Sequence, residues 1–425
     1  MLPAFPPRAR SPVMALLQDR HFRSLWYVGS LNWLCRRMEL LVLSWLILQT
    51  TNSPFQLSLV LVFNQLPRLL ISPFASVIAE RISRKRILAT AQTVNSATAA
   101  VILNLILTEQ IVSWHVFLAV ALHGTTNALE VQARRTAVLD IVGPERLVHA
   151  LSLETISSNV GKMAGPLIFG LLVDTTGNTG AYSFILILHL VTLAMVLTRV
   201  HIPPIQQALV REPVWRSLGA AVEFARHDRM LVGMLYVTIV MNAMAFPAQE
   251  FIPAIGRDHL LVGATQVGLL AAAEGLGQMA GAILMLATRN LRRHGLVFAI
   301  GSVVVLLIVI GFVWSPSYGL TFALLTIGGI GHAGFGTMQS AITLLASPPA
   351  MRGRMVGLLS VCIGAGSLLG TLEIGALAVV FGTQMSISAN AILGLVLMAP
   401  ALLFTPLLWR PTTTPAAPRP VRCKG

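Results

Sequence analysis

Residues 76–88 read SVIAERISRKRIL and form a short basic break between two long apolar runs, at about 56–79 and 87–107. A helix needs about 20 mostly apolar residues to cross a bilayer, and each run is long enough. Because the break is too short to hold a domain, we expect the two runs to be consecutive membrane-spanning helices joined by a tight turn. Arginine and lysine resist translocation, so the break itself is expected on the cytoplasmic side.

Ten more apolar runs continue this pattern along the chain. Together the predicted spans are at about 22–48, 56–79, 87–107, 114–138, 155–173, 181–199, 230–254, 265–287, 295–314, 318–345, 356–380 and 385–409. The runs are continuous and do not alternate, which excludes transmembrane β-strands. With 55% hydrophobic and 11% charged residues and a mean hydropathy of +0.76, the composition also excludes an ordinary soluble enzyme and a disordered chain. The expected fold class is an all-α membrane protein with twelve transmembrane helices.

The basic residues indicate which side of the membrane each break occupies. They concentrate in the terminal segments and in alternate breaks, at Arg8, Arg10, Arg20, Arg23, Arg81, Arg84, Lys85, Arg86, Arg134, Arg135, Arg146, the arginines between 199 and 229, Arg289, Arg292, Arg293, Arg352, Arg354, Arg410, Arg419, Arg422 and Lys424. The intervening breaks hold Arg257 alone. Both termini are therefore expected in the cytoplasm, and the net charge of +14 needs no nucleic-acid partner. The arginine bias indicates a GC-rich bacterial genome, so we expect a multi-pass protein of the bacterial inner membrane.

The two halves of the chain repeat one pattern of basic residues. Four basic positions recur 208 residues later in the equivalent break: Arg81 with Arg289, Arg84 with Arg292, Lys85 with Arg293 and Arg146 with Arg354. One match could arise by chance, but four matches at one offset favour a duplicated six-span unit. This is the architecture of transporters with a binding site between two repeats.

The duplication and the longest internal break predict the domain boundaries. The predicted parts are a cytoplasmic N-terminal segment (1–21), an N-terminal six-helix bundle (22–199), a cytoplasmic linker (200–229), a C-terminal six-helix bundle (230–409) and a disordered cytoplasmic tail (410–425). Within the linker, apolar residues recur at helical spacing at Trp215, Leu218, Val222 and Ala225. This spacing favours an amphipathic helix on the membrane surface, and the alternative is a plain linker.

The basic break also carries a family motif. It resembles the signature G-x-x-x-D-R-x-x-R-R-x-x that joins the second and third helices in the major facilitator superfamily. Ser76 stands where that signature has its leading glycine, and Glu80 stands where it has aspartate. The basic positions are filled by Arg81, Arg84 and Lys85.

A second motif lies in the fifth predicted span. Gly161, Gly165, Pro166 and Gly170 resemble the antiporter motif G-x-x-x-G-P-x-x-G-G, with Phe169 in place of the penultimate glycine. Neighbouring segments are similar to the drug-efflux branch that includes siderophore and macrolide exporters, at Trp26, Gly29, WLILQ (45–49), LPRLLISP (66–73) and RGR (352–354).

The resemblance covers roughly residues 20–408. It implies two pseudo-symmetric six-helix bundles that work by alternating access, with proton-coupled efflux of a drug, a siderophore or another secondary metabolite. At two positions the chain departs from these relatives, which weakens any inference about its coupling ion and substrate from theirs. Val120 stands where drug/proton antiporters carry an arginine four residues before a glycine, and Cys35 and Arg36 stand where the efflux branch usually has a Gly-Asp pair.

Charged residues inside a span usually face a cavity or a partner, because a charge at the bilayer centre costs about 2.5–3.5 kcal/mol. Arg36 and Glu39 share a face of the first span, while Arg37 points elsewhere. They form either a cavity-lining cluster or a helix-packing ion pair. Arg68 follows Pro67, so it is expected either to bind an anionic substrate group or to satisfy the carbonyl that the proline frees.

Three further charged residues are candidates for the substrate or ion pathway. Lys162 lies in the glycine-rich fifth span and must pair or lose its charge. Glu274 and Glu373 are the deepest acids of the second half, and each is a candidate proton site or a packing residue. The histidines of the spans are isolated in sequence and are interpreted as packing residues: His123, His189 and His332.

Two groups of residues are expected to control conformational change. A cytoplasmic gating loop is predicted from Glu80, Arg81, Arg84, Lys85, Glu130 and Arg134, with Glu130 and Arg134 as a surface-level pair. A hinge is predicted at Gly161, Gly165, Pro166 and Gly170, where the alternative is ordinary small-residue packing. The glycines between 328 and 336 form a comparable zone of the tenth span without a named motif.

No sequence pattern of an enzyme is present. We find no Walker loop, dinucleotide fingerprint, zinc-ligand spacing or nucleophile elbow, and three scattered cysteines form no disulfide framework or metal cluster. We therefore expect a monomeric transporter in the lipid bilayer, with a small-molecule substrate, a proton gradient, no cofactor, no metal and no nucleic acid. The alternatives are a lipid or lysolipid flippase of the same fold and a non-transporting membrane sensor.

Overall fold

A computed structural model describes residues 12–202, 214–287 and 294–405. These ranges contain helices and turns and no strand. The helices are α1 (Pro12–Gln18), α2 (Arg20–Thr51), α3 (Pro54–Arg81), α4 (Arg84–Leu107), α5 (Ser113–Thr198), α6 (Val214–Arg226), α7 (Arg229–Met244), α8 (Pro247–Glu250), α9 (Ile252–Ala254), the π-helical turn Ile255–His259, α10 (Ala264–Ala287), α11 (His294–Val313), α12 (Tyr318–Leu345), α13 (Pro349–Phe381) and α14 (Thr383–Phe404).

The long helix α5 is interrupted at two glycines. Gly143 has φ +73° and Gly177 has φ +71°, a backbone conformation that side chains with a Cβ rarely adopt. The three predicted spans at 114–138, 155–173 and 181–199 fall on the three stretches that these glycines separate. Gly143 lies in the predicted polar break at 139–154 and Gly177 in the break at 174–180, and the backbone of both breaks is otherwise helical.

The described residues confirm an all-α membrane protein. Nine of the described segments are long and apolar enough to cross a membrane, as judged by length and composition. Helix α2 has 32 residues, more than a bilayer requires, but it carries Arg36, Arg37 and Glu39 near its middle. The count of twelve spans stays a prediction.

The chain divides into two compact units. The first contains Met1–Leu43 and Leu66–Leu209, and the second contains Ser44–Gln65 and Val210–Gly425. Residues 44–65 join the second unit through Arg257, which donates hydrogen bonds to the Leu48 carbonyl and to Asn52 Oδ1, the latter at 2.9 Å. The predicted bundle boundaries at 22–199 and 230–409 stay predictions.

In the first unit, glycines bring α5 against α2. A Cβ added to Gly161 would lie 3.0 Å from the backbone carbon of Trp33, and one added to Gly165 would lie 3.0 Å from the Cβ of Arg37. Lipid is as apolar as leucine, so helices in a membrane associate chiefly by such close packing. The predicted close helix approach at the glycine motif is therefore confirmed, and its role as a hinge stays a prediction.

In the second unit, α10 and α12 approach each other most closely at glycines. A Cβ on Gly277 would lie 1.9 Å from the Thr326 carbonyl oxygen, and one on Gly329 would lie 2.3 Å from the Glu274 carbonyl oxygen. No real Cβ tolerates such distances, so the two helix backbones touch because these positions lack side chains. This close contact explains why a glycine is needed at position 329 within the glycine zone at 328–336.

The helix predicted in the linker is present as α6. Trp215 and Val222 are exposed, whereas Ala221 and Ala225 are buried. Buried alanines and an exposed tryptophan suit a helix that packs on protein through one side and offers an aromatic residue to the membrane interface. Its location on the cytoplasmic surface stays a prediction.

Candidate functional site

The first unit contains a buried polar cluster around Glu39. We define the Glu39 cluster as Cys35, Glu39, His123, Tyr182 and His189. The Tyr182 hydroxyl donates to Glu39 Oε1 at 2.9 Å, while Glu39 Oε2 lies 2.9 Å from His123 Nδ1 and 3.4 Å from His189 Nε2. Cys35 Sγ lies 3.3 Å from the same His189 nitrogen. Helix α2 supplies the acid and the thiol, and α5 supplies the other three side chains.

A chain of hydrogen bonds continues from the Glu39 cluster through α4 and along α5. His189 Nδ1 lies 3.4 Å from Gln92 Oε1, and Gln92 Nε2 donates to Glu130 Oε2 at 3.1 Å. Arg134 lies 3.7 Å from Glu130 and donates from Nε to Glu154 Oε1 at 2.9 Å. The predicted Glu130–Arg134 pair is therefore confirmed. Both side chains are almost completely buried within the protein, and the predicted level of the pair near the membrane surface stays a prediction.

The helix-packing ion pair between Arg36 and Glu39, one of the two predicted alternatives, does not form. Arg36 donates to Asn127 Oδ1 at 2.9 Å and lies over the Trp33 ring, 5.5 Å from its centroid. The two residues share a helix face as predicted, but Glu39 is occupied by the imidazoles and the phenol of α5. Those partners lie far away in sequence, so the spacing within α2 could not reveal them.

Arg37 differs from the other predicted charges of α2. Its Nε atom is buried and forms no hydrogen bond with any residue that the structure describes. The side chain is half-buried, and its Cβ is the atom that a side chain at Gly165 would meet first. A guanidinium in this setting can bind an anionic group.

The second unit contains a smaller acid–imidazole site, which we call the Glu274 pair (Glu274 and His332). Glu274 Oε1 lies 2.9 Å from His332 Nδ1, and Gln278 Nε2 donates to the same carboxylate oxygen at 2.6 Å. The Phe246 ring stacks on the imidazole, with ring centroids 4.2 Å apart. The side chains of Glu274 and His332 are 15% and 29% exposed, so the pair is only partly covered by the rest of the protein.

The close glycine packing between α10 and α12 positions the Glu274 pair. Gly277 lies one residue before Gln278, and Gly329 meets the backbone oxygen of Glu274 itself. The acid comes from α10 and the imidazole from α12, so the separation of these two helices decides whether the 2.9 Å contact can form. The glycines therefore position a functional candidate as well as packing two helices.

Three predicted pathway residues are not among the contacts described for the two sites. Arg68 lies in α3 and Lys162 lies in α5, and each forms an interaction of its own. Glu373 is half-buried in α13 and forms no hydrogen bond or ion pair with the described residues. Their roles in the pathway stay predictions.

The predicted gating loop is described only in part. Arg84 pairs with Asp140, and Lys85 Nζ donates to the Leu197 carbonyl at 2.9 Å, both within the first unit. The side chains of Glu80 and Arg81 lie outside the described part of the chain. The gating role stays a prediction.

Sequence reasoning missed the three histidines. His123, His189 and His332 were interpreted as packing residues because nothing near them in sequence could pair with them. One signal was present: His123 and His332 lie 209 positions apart, close to the repeat offset of 208, and occupy the fourth and tenth predicted spans. The duplicated unit thus carries a histidine in the same helix of each half, each in contact with a glutamate.

Comparison with known proteins identifies the family. Residues 11–414 match the profile described as a transmembrane secretion effector. The chain belongs to this family. The chain is 27% identical over 328 residues to the enterobactin exporter EntS of Shigella flexneri and of Escherichia coli O1:K1, with 77% of each chain covered.

Solved structures show the same fold. The nucleoside transporter NupG superposes with a TM-score of 0.72 at 13% identity, covering 90% of this chain and 98% of its own. A bacterial homologue of the human lysosomal transporter Spinster gives a TM-score of 0.67 at 14% identity, with 94% and 98% covered. At these identities the likeness shows the fold alone. Together with the family match and the exporter relatives, this fold shows a multi-pass efflux transporter of the major facilitator superfamily.

Proposed function

We propose that the protein exports a small amphipathic compound across the bacterial inner membrane in exchange for protons, by alternating access. The observation that carries the proton exchange is the Glu274 pair, a carboxylate 2.9 Å from an imidazole within membrane-spanning helices. The export direction and the compound class follow the EntS relatives, which are named as exporters of a siderophore. The proposal retains both termini in the cytoplasm and a monomer without nucleic acid.

The Glu274 pair has the chemistry that proton exchange needs. Histidine changes its charge more readily near neutral pH than any other side chain with an unperturbed pKa, and a neighbouring carboxylate can share the added proton. The proton exchange requires that water reach the pair, and its partial exposure is compatible with this requirement. The Gln278 amide holds the carboxylate in place during the exchange.

Arg37 supports a cargo with an anionic group. An arginine within a membrane span is costly unless it has a counter-charge, and Nε of Arg37 has no partner among the described residues. A bound carboxylate, phenolate or similar group would supply one. Arg36 is a less suitable contact because Asn127 already occupies it.

Two other functions were considered for the same fold, a lipid or lysolipid flippase and a non-transporting sensor. A flippase would move labelled phospholipid between the leaflets of a vesicle and would not require a pH gradient. A sensor would bind a compound without moving it. The efflux family and the acid–imidazole pair favour export of a small amphipathic compound over both.

The test uses inside-out vesicles from cells that express the protein and measures uptake of radiolabelled, iron-free enterobactin. With the lumen one pH unit more acidic than the outside, each exchanged proton supports about a tenfold accumulation, since one pH unit equals about 1.4 kcal/mol. Glu274→Gln keeps the size and hydrogen-bonding capacity of the side chain but removes its charge. We expect this variant to lose accumulation and to keep downhill counterflow.

The matched control is Glu223→Gln, which removes an exposed glutamate from the surface helix α6. It should accumulate the compound as the wild type does. Equal accumulation by Glu274→Gln would refute proton exchange at this pair. A wild type that shows no uptake in either mode, with labelled siderophores and labelled lipids alike, would refute the transport proposal as a whole.

A further inference from the structure

The Glu39 cluster is not used by the proposed proton exchange, and its composition points to a different ligand. We propose that Glu39, His123 and His189, with Cys35 as the fourth ligand, form a binding site for a divalent transition-metal ion of the zinc type. Two imidazoles, a carboxylate and a thiol are the donors that zinc uses in proteins. Hard cations such as Mg²⁺ and Ca²⁺ prefer all-oxygen ligand sets.

The distances between the donor atoms suit one tetrahedral ion. Zinc bonds of about 2.0–2.1 Å to nitrogen and oxygen place neighbouring ligand atoms about 3.3 Å apart in a tetrahedron. Glu39 Oε2 lies 2.9 Å from His123 Nδ1 and 3.4 Å from His189 Nε2. The donor atoms of these three residues all lie within 4.8 Å of one another. Cys35 Sγ is 3.3 Å from His189 Nε2 but lies outside this group of three donors, so the thiol must move toward Glu39 and His123 to complete the tetrahedron.

The surrounding hydrogen bonds orient two of the ligands, His189 and Glu39, as a metal site requires, whereas the second ring nitrogen of His123 is buried without a hydrogen bond to any described residue. Metal-binding imidazoles almost always use their second nitrogen in a hydrogen bond, and ligating carboxylates are also held by neighbours. His189 directs Nδ1 at Gln92 Oε1, 3.4 Å away, which leaves Nε2 for the ion. The Tyr182 hydroxyl donates to Glu39 Oε1 at 2.9 Å, which leaves Oε2 for the ion.

Charge balance also favours a divalent ion in this location. The cluster is buried, with side-chain exposures of 9% for His123, 5% for Glu39 and 3% for His189. A coordinated thiol loses its proton to solvent on binding. One Zn²⁺ with the Glu39 carboxylate, the Cys35 thiolate and two neutral imidazoles then has zero net charge, which suits the interior of a membrane protein. The ion would tie α2 to two stretches of α5.

The test measures metal in the full-length protein, purified in detergent through a tag without histidines. Zinc is added and excess is removed by gel filtration, and the bound metal is measured by mass spectrometry. We expect about one zinc ion per chain, lost in His123→Gln and His189→Gln. The matched controls are His115→Gln, a half-buried histidine near the start of α5, and Cys362→Ser, the half-buried cysteine of α13. Both controls should retain the metal.

Two further variants keep the proposal testable if the histidine variants do not fold. Tyr182→Phe removes a hydrogen bond to the carboxylate and should weaken zinc binding by about 10- to 100-fold. Loading with Co²⁺ should give a tetrahedral d–d spectrum with a thiolate-to-cobalt charge-transfer band, and Cys35→Ser should abolish that band alone. Absence of bound zinc in the wild type, or full zinc in His123→Gln and His189→Gln, would overturn the proposal. Neither result bears on export, which is measured separately with labelled enterobactin.

Discussion

Gly329→Ala tests whether backbone contact between α10 and α12 positions the Glu274 pair. The new Cβ would lie 2.3 Å from the Glu274 carbonyl oxygen and 2.9 Å from Gln278 N, whereas an ordinary contact is at least 3.4 Å. The two helices must therefore move apart by about 1 Å at this level, an overpacking that typically costs about 1–3 kcal/mol. The Glu274–His332 contact, now 2.9 Å, would lengthen by a similar amount, beyond hydrogen-bonding distance.

The assay compares thermal stability in detergent with accumulation of labelled enterobactin driven by a pH gradient. Gly336→Ala is the matched control, because it lies on the same helix and a Cβ there meets nothing within 4 Å. It should keep accumulation and gain as much as about 1 kcal/mol from the better helix propensity of alanine. Gly329→Ala should melt at a lower temperature and lose accumulation, while downhill counterflow continues.

One result would refute this reasoning. If Gly329→Ala and Gly336→Ala have the same melting temperature and the same accumulation, close packing at Gly329 does not set the geometry of the Glu274 pair. A variant that melts earlier but accumulates normally would show that the glycine matters for stability and that proton exchange tolerates a longer contact.

The remaining predictions concern the first unit and the helix breaks. Gly143→Ala should destabilise the protein by about 1–3 kcal/mol, because φ is +73° there; its melting temperature should fall below that of Gly357→Ala, which adds a Cβ in open space. Arg37→Ala should weaken binding of an anionic cargo by about 10- to 150-fold, the equivalent of about 1.5–3 kcal/mol, and equal affinity in a binding titration would contradict this. Gly165→Val should slow transport without preventing membrane insertion, since its Cβ would meet Arg37. A normal transport rate in vesicles would show that the glycine motif serves helix packing and is not a hinge. Arg84→Ala should lower transport, because it removes the ion pair that joins the gating loop to Asp140. Unchanged uptake by correctly inserted protein would contradict this prediction.

The fold could be predicted because its signal is local. Each long apolar run must satisfy its own backbone hydrogen bonds in lipid, and only a helix does so within one segment. The boundaries were less predictable, as α5 shows. Its polar breaks near Arg146 and Asn178 stay helical almost throughout, because a helix continues into water at little cost and only Gly143 and Gly177 interrupt it.

The candidate sites were predictable only in part because their geometry is tertiary. Charge within an apolar span correctly singled out Glu39 and Glu274 as residues in need of partners. The partners themselves could not be read from spacing, since Glu39 and His189 are 150 positions apart. The spacing rule favoured Arg36 for Glu39 because it considers one helix, whereas α5 provides two imidazoles and a phenol to the same carboxylate.

The most direct test of proton-coupled export is the reversal of net flux in sealed vesicles. A fixed tenfold gradient of labelled enterobactin is opposed by pH gradients of increasing size, and the direction of net movement is recorded. If one proton is exchanged per molecule, flux through the wild-type protein should reverse at about one pH unit, and flux through Glu274→Gln should follow the compound's own gradient throughout. Wild-type flux that follows the compound's gradient at every pH difference would contradict the account.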